Sequence, residues 1–224
     1  MRKRLKLAQR QLPVHTRGEE IMNMVTHIIG GGIAVLILLL CVGKTVIESN
    51  RCGIIASGIY GVTIVALYTF SSVYHGLYPC TGKKVMQVLD HCTIYFLIAG
   101  TYTPYMLCAF VPTYPAIGWG LLIVEWVLAI VAASLTAIDL YSYRVFSMLC
   151  YICMGWGLLP FLPQALAILN LPGFLLLLSG GIAYTIGAIL FGIGTKIPWI
   201  HSIFHIFVVI GSLLQFLSIY LYVL

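Results

Sequence analysis

Charge is scarce in this chain. Only 8% of its 224 residues are Asp, Glu, Lys or Arg, and only six of those are acidic. A soluble domain of ordinary composition carries about three times that share. With 61% apolar residues alongside, the scarcity excludes a water-soluble globule and predicts a polytopic membrane protein. Cysteine gives no disulfide framework: the seven are odd in number, and most fall within or at the ends of apolar stretches (Cys41, Cys52, Cys80, Cys92, Cys108, Cys150, Cys153). They read as small buried apolar residues. Cys150 and Cys153 form a single C-x-x-C pair with neither a second pair for a metal nor a thioredoxin-like context for redox work. Internal repeats, linkers and a small-residue cleavage site after the first apolar run are all missing. The run is about 20 residues long, enough to span, and reads as a retained signal anchor.

What charge there is lies unevenly. Arg2, Lys3, Arg4, Lys6, Arg10 and Arg17 hold half of the twelve Lys and Arg. Such a tail beside a membrane predicts contact with anionic lipid headgroups. Nucleic acid is not an expected partner, since no folded basic module is present. Residues 1–22 are read as a basic cytoplasmic tail with the start of the first helix, and 23–224 as the transmembrane domain.

Hydropathy predicts an all-α membrane protein, a seven-transmembrane helix bundle with spans near 24–43, 53–75, 86–110, 116–135, 146–168, 173–193 and 200–224. With the N-terminus cytoplasmic, the inner segments carry the tail charges, Lys83, Lys84, Arg144 and Lys196, which is ten of the twelve cations. The outer ones carry Lys44 and Arg51. This asymmetry places the N-terminus inside and the C-terminus outside. Gly30-Gly31-Gly32, Ser57-x-x-x-Gly61 and Ala183-x-x-x-Gly187 are expected close-packing points, and Pro104, Pro160 and Pro163 expected kinks or ends.

Against this apolar ground a few polar residues stand out. Ser71 and His75, four apart, share a face at the inner end of span two. Asp90 opens span three, and His201 and His205 open span seven one turn apart. Topology alone therefore gathers all five at the cytoplasmic boundary. Polar groups in hydrocarbon ask for a functional reason. Three imidazoles, His75, His201 and His205, are what a zinc ion with one position open to water needs. Ser71 and Asp90 then fit around that water, Ser71 orienting it and Asp90 accepting its proton. His91 points about 100° away from Asp90 on an ideal helix and reads as an interfacial residue. Glu20, Asn23 and His27 share a face at the start of span one and read as a supporting network that braces neighbouring helices. Glu125, in the middle of span four, is expected to be neutral or hydrogen-bonded.

These motifs resemble one family. Glu20-x-x-Asn23-x-x-Thr26-His27, Ser71-x-x-x-His75, Asp90-His91-x-x-Ile94 with Ala99-Gly100-Thr101-Tyr102-Thr103-Pro104, Gly155-Trp156 and His201-x-x-x-His205 are similar, in order and topology, to bacterial haemolysin III-type proteins of the PAQR (progestin and adipoQ receptor) superfamily. The resemblance implies a seven-helix bundle in the bacterial inner (plasma) membrane, with zinc near the cytoplasmic face on His75, His201 and His205 and with Ser71 and Asp90 by its water. The superfamily includes alkaline ceramidases, which implies a zinc-dependent hydrolase of a lipid amide or related lipid, with membrane lipids as partners. A receptor or membrane-homeostasis sensor with structural zinc is the alternative expectation, and a haemolysin-type cytolysin a second. Glu125 matches no position of the family pattern.

Overall fold

The computed structural model describes residues 10–194 and 197–224. Arg2, Lys3, Arg4, Lys6 and Lys196, five of the ten inner cations, lie outside the described residues.

The chain is helical almost throughout. Helix α1 spans Arg17–Ile47, α2 Arg51–Gly76, α3 Thr81–Pro104, α4 Pro115–Ile138, α5 Arg144–Gly155, α6 Leu162–Ile193 and α7 Ile200–Tyr222. Local chemistry sets the ends. Thr16 and Glu19 form a capping box, so α1 starts at Arg17, well before the predicted edge of the first span. Asn50 caps α2 by accepting the Gly53 N–H at 2.9 Å. Pro115 occupies the first turn of α4, where its missing N–H costs nothing. Pro104 cannot continue the hydrogen-bond ladder, and beyond it α3 passes into a π-helical turn, Tyr105–Phe110, that carries the segment on to Thr113.

Among the described residues, six helical stretches are long and apolar enough to cross a membrane. The fifth, Arg144–Ile193, is 50 residues long and contains both the fifth and the sixth predicted spans. It is not straight. Asn170 has φ 55° and ψ 167°, a conformation that side chains resist, and Pro172 follows. Trp156 Nε1 donates to Thr185 Oγ1 at 2.9 Å. On one continuous helix those residues would lie roughly 40 Å apart, so the chain folds back at Asn170.

The helices pack chiefly with sequence neighbours: α1 on α2, α2 on α3, α3 on α4, and the second part of α6 on α7, while α1 also reaches α7. The buried core is rich in tyrosine, with Tyr60, Tyr68 and Tyr95 essentially inaccessible. Gly30 makes one of these positions possible. A Cβ there would lie 2.5 Å from the Tyr68 ring, which is too close for any side chain. With glycine, Tyr68 crosses the bundle and donates to Ser212 Oγ on α7 at 2.8 Å. The outward faces are apolar, with Leu39, Val62 and Val127 all more than half exposed.

Candidate metal centre

All six histidines of the chain gather at one end of the bundle. His75 closes α2, and His201 and His205 occupy the first two turns of α7. One nitrogen from each of these three lies within 4.8 Å of the others, so the triad could hold a metal ion. His201 Nε2 and His205 Nε2 are 3.2 Å apart. An ion of zinc's size, held at about 2.0–2.1 Å by two imidazoles with tetrahedral angles, sets its ligand nitrogens about 3.3 Å apart. His75 Nε2 is buried without a hydrogen-bond partner. Buried polar atoms are seldom left so, and a metal ligand is one such exception. The residues fit the group.

The outer partners are equally specific. His75 turns its other nitrogen, Nδ1, to Glu20 Oε2 at 2.6 Å, with Asn23 Nδ2 at 3.5 Å. Glu20 Oε1 in turn accepts from Lys83 Nζ at 2.7 Å, and Lys83 also donates to the Leu77 carbonyl at 2.9 Å. A carboxylate on the far nitrogen fixes the tautomer and ring orientation of a ligating histidine and raises its basicity. The bonds of Glu20 thus link α1, α2 and α3, whereas both ring nitrogens of His27 are buried without a hydrogen-bond partner. His27 packs on His205, ring centroids 3.8 Å apart, and edge-on to Tyr68 at 5.0 Å.

Ser71, Asp90, His201 and His205 line one cavity, which runs from this end into the bundle. It holds about 1510 Å³ of space free of atoms, counting its open side. Residues of α3, α5, α6 and α7 form most of its wall, with His27 of α1 and Leu67 and Ser71 of α2, and the lining is overwhelmingly apolar away from the histidines (Leu97, Met106, Phe174, Leu177, for example). Where the polar end meets the apolar shaft, Ser71 is buried and Asp90 partly so.

The Haemolysin-III related family matches residues 15–216. The chain belongs to that family. It is 37% identical over 206 residues to Hemolysin-3 of Bacillus cereus, covering 92% of each chain. Against the Hemolysin-3 homolog of Bacillus subtilis (strain 168) it is 34% identical over 204 residues, covering 91% of this chain and 94% of the relative. The human Monocyte to macrophage differentiation factor is 28% identical over 220 residues, covering 91% and 84%. No solved structure matches. The haemolysin III-type branch of the PAQR superfamily, read from the motifs, is therefore correct, and the chain is a multi-pass integral membrane protein.

Within this family member the cavity corrects one expectation. His91 was expected to turn away from the site that Asp90 faces, yet both line the cavity, and His91 Nδ1 lies 3.6 Å from Asp90 Oδ2. The cavity is wide enough to take in two adjacent faces of α3, from Asp90 and His91 to Ile98 and Thr101. His91 is no part of the triad; its Nδ1 also sits 2.8 Å from the Gln87 carbonyl.

Three residues at this end escaped the sequence reading. Lys83, in sequence one more cytoplasmic charge, is buried on Glu20. Glu19 accepts the Trp199 N–H at the start of α7; its signal was the Thr16-x-x-Glu19 capping box. His15 stacks on His201 with centroids 5.1 Å apart. Desolvation by burial pulls His15 below its ordinary imidazole value, so a neutral ring rests on its neighbours.

Glu125 lies apart. It is 1% exposed, and its Oε2 has no hydrogen-bond partner. Its Oε1 would be 2.7 Å from a Cβ on Gly157, so glycine there gives the carboxyl its place beside the break between α5 and α6. Tyr102, which lines the cavity, is close to the same glycine.

Proposed function

We propose that this protein is a zinc-dependent hydrolase of a lipid amide or a related lipid in the bacterial plasma membrane. The observation that carries the reading is three convergent imidazoles, two of which, His201 and His205, line the polar end of a large apolar cavity. His75, His201 and His205 would hold the ion, which when bound supplies a Lewis acid and acidifies water to a pKa of about 7. The chain's own residues do the rest. Glu20 holds the His75 ring by its Nδ1. The apolar shaft binds acyl chains and leaves the polar linkage beside Asp90 and Ser71. Asp90 takes a proton from the attacking water and returns it to the leaving amine, and Ser71 orients the water or the carbonyl.

We read the bundle as seven crossings with the N-terminus in the cytoplasm. The reversal at Asn170 supports the count, because it divides the 50-residue stretch into two segments, each long enough to cross ~30 Å of hydrocarbon. Among the described residues, Arg10, Arg17, Lys83, Lys84 and Arg144 lie toward the histidine end against Lys44 and Arg51 toward the other, an excess that supports the orientation.

The test is turnover of lipid amides and esters by purified protein of known metal content. Stoichiometric zinc without turnover of any of them would overturn the hydrolase reading.

A second reading rests on where the ligands come from. They belong to α2 and α7, so a metal would tie together helices far apart in sequence, as a structural ion in a receptor or sensor does. His75→Ala separates the two: loss of fold with the metal supports structure, and loss of turnover in a folded protein supports catalysis. The names of the Bacillus relatives point to lysis, and release of dye from liposomes by added protein would test it.

A further inference from the structure

Residues 10–16 cross the histidine end of the bundle. At one end of this segment the Arg10 guanidinium, buried to 6% exposure, donates to the Ile138 carbonyl at 2.9 Å, at the close of α4. Beside it the Tyr141 hydroxyl donates to the Gln11 carbonyl. At the other end Thr16 caps α1. The middle has little support, and Val14 is 97% exposed. Leu12 and His15 are half-buried, and the His15 ring lies nearly parallel to His201, with 25° between the rings, and meets His75 edge-on at 6.1 Å.

The two kinds of ligand in the triad are held differently. His75 is fixed by the hydrogen bond that its Nδ1 donates to Glu20, with Asn23 beside it. Among the described residues, the His201 ring has one side-chain hydrogen-bond contact, and that is with His205, another ligand. Its remaining neighbours are rings: His15, His75, Phe191 and Phe204. Of these, His15 comes from a segment outside the helices that is tethered by hydrogen bonds at its ends.

We propose that residues 10–16 form a strap closing the histidine centre toward the aqueous phase, with His15 the positioning residue that holds His201, and that metal exchange requires the strap to lift. The proposal rests on the reading that the triad holds a metal. Nothing in it assigns His15 to the ligands.

The experiment uses full-length protein in nanodiscs. In the zinc-loaded protein, His15→Ala and Arg10→Ala should each speed loss of zinc to a chelator by about tenfold or more. Arg10 is anchored on α4, away from the triad, so its effect reads the strap and not the ligands. His15→Phe keeps a ring to stack and should release zinc at the wild-type rate; release as fast as in His15→Ala would overturn the stacking role. A metal-free arm follows carbethoxylation of His201 by diethyl pyrocarbonate in stripped protein, read by mass spectrometry. Labelling should rise severalfold in Arg10→Ala and His15→Ala. Unchanged labelling and unchanged release in both variants would overturn the strap. If wild-type protein holds no zinc, the metal reading fails by itself, and the labelling arm still decides the strap.

Discussion

The Glu19 carboxylate accepts the backbone N–H of Trp199 at 2.6 Å, joining the start of α1 to the start of α7. Trp199 needs the help, because its φ of 66° is left-handed and costly for a tryptophan. Two residues later comes His201. The other oxygen of the same carboxylate caps α1 through Thr16, at 2.8 Å from both its N and its Oγ1. One side chain therefore sets the register of the helix that carries two of the three candidate ligands against the helix that carries Glu20.

Glu19→Gln should show that coupling. It weakens a charge-assisted bond worth about 1.5–3 kcal/mol, so thermal unfolding in detergent should move down. Zinc affinity should fall with it, since His201 loses its fixed start. A variant as stable as wild type with undiminished zinc binding would refute the coupling.

Glu20→Gln should behave differently. It leaves a side chain of the same shape beside His75 and removes the charge that orients the ring. Zinc affinity should drop about 10–100-fold, by chelator competition, with helical content by circular dichroism unchanged. His75→Ala removes a ligand outright and should lose more than Glu20→Gln does. His91→Ala should keep the metal, because that ring lies outside the triad.

Much of this arrangement was legible in the sequence, for a geometric reason. Helix parity puts the end of α2 and the starts of α3 and α7 on the same side, and i, i+4 spacing puts His201 and His205 on one face. Period and parity survive without coordinates. His15 has neither, for it precedes α1 on a segment whose path depends on where Arg10 finds a carbonyl. Lys83 looked like a solvent charge because hydropathy cannot see Glu20 across the bundle. The place of the fold-back was legible too, as a gap between predicted spans at residues 168 and 173, but its sharpness was not; that is a matter of one backbone angle pair at Asn170.

Glu125→Met should raise stability. The carboxyl is buried, and its Oε2 has no partner, so an apolar side chain of similar length removes an unsatisfied group worth about 1–3 kcal/mol. The check is thermal unfolding together with zinc content. A destabilised variant would mean that the carboxyl makes an interaction the fold depends on.

Gly30→Ala should do the opposite. The added methyl would fall 2.5 Å from the Tyr68 ring and push it off Ser212, costing about 1–3 kcal/mol from overpacking. Tyr68→Phe in the same background should then lose little more, because the hydroxyl would already have left its partner.

The connections between helices are unequal at the two ends. Opposite the histidines the chain turns in three residues at Glu48–Asn50, at Tyr114 alone, and at Asn170 without a break in the helical run. The end of α1 is tied there to the end of α7, with Lys44 Nζ donating to the Tyr220 carbonyl at 2.7 Å. Among the described residues, that side offers a protease or an antibody no loop longer than three residues. At that end the described chain presents little but helix ends and tight turns, while Asp90 and the histidines that line the cavity lie at the other.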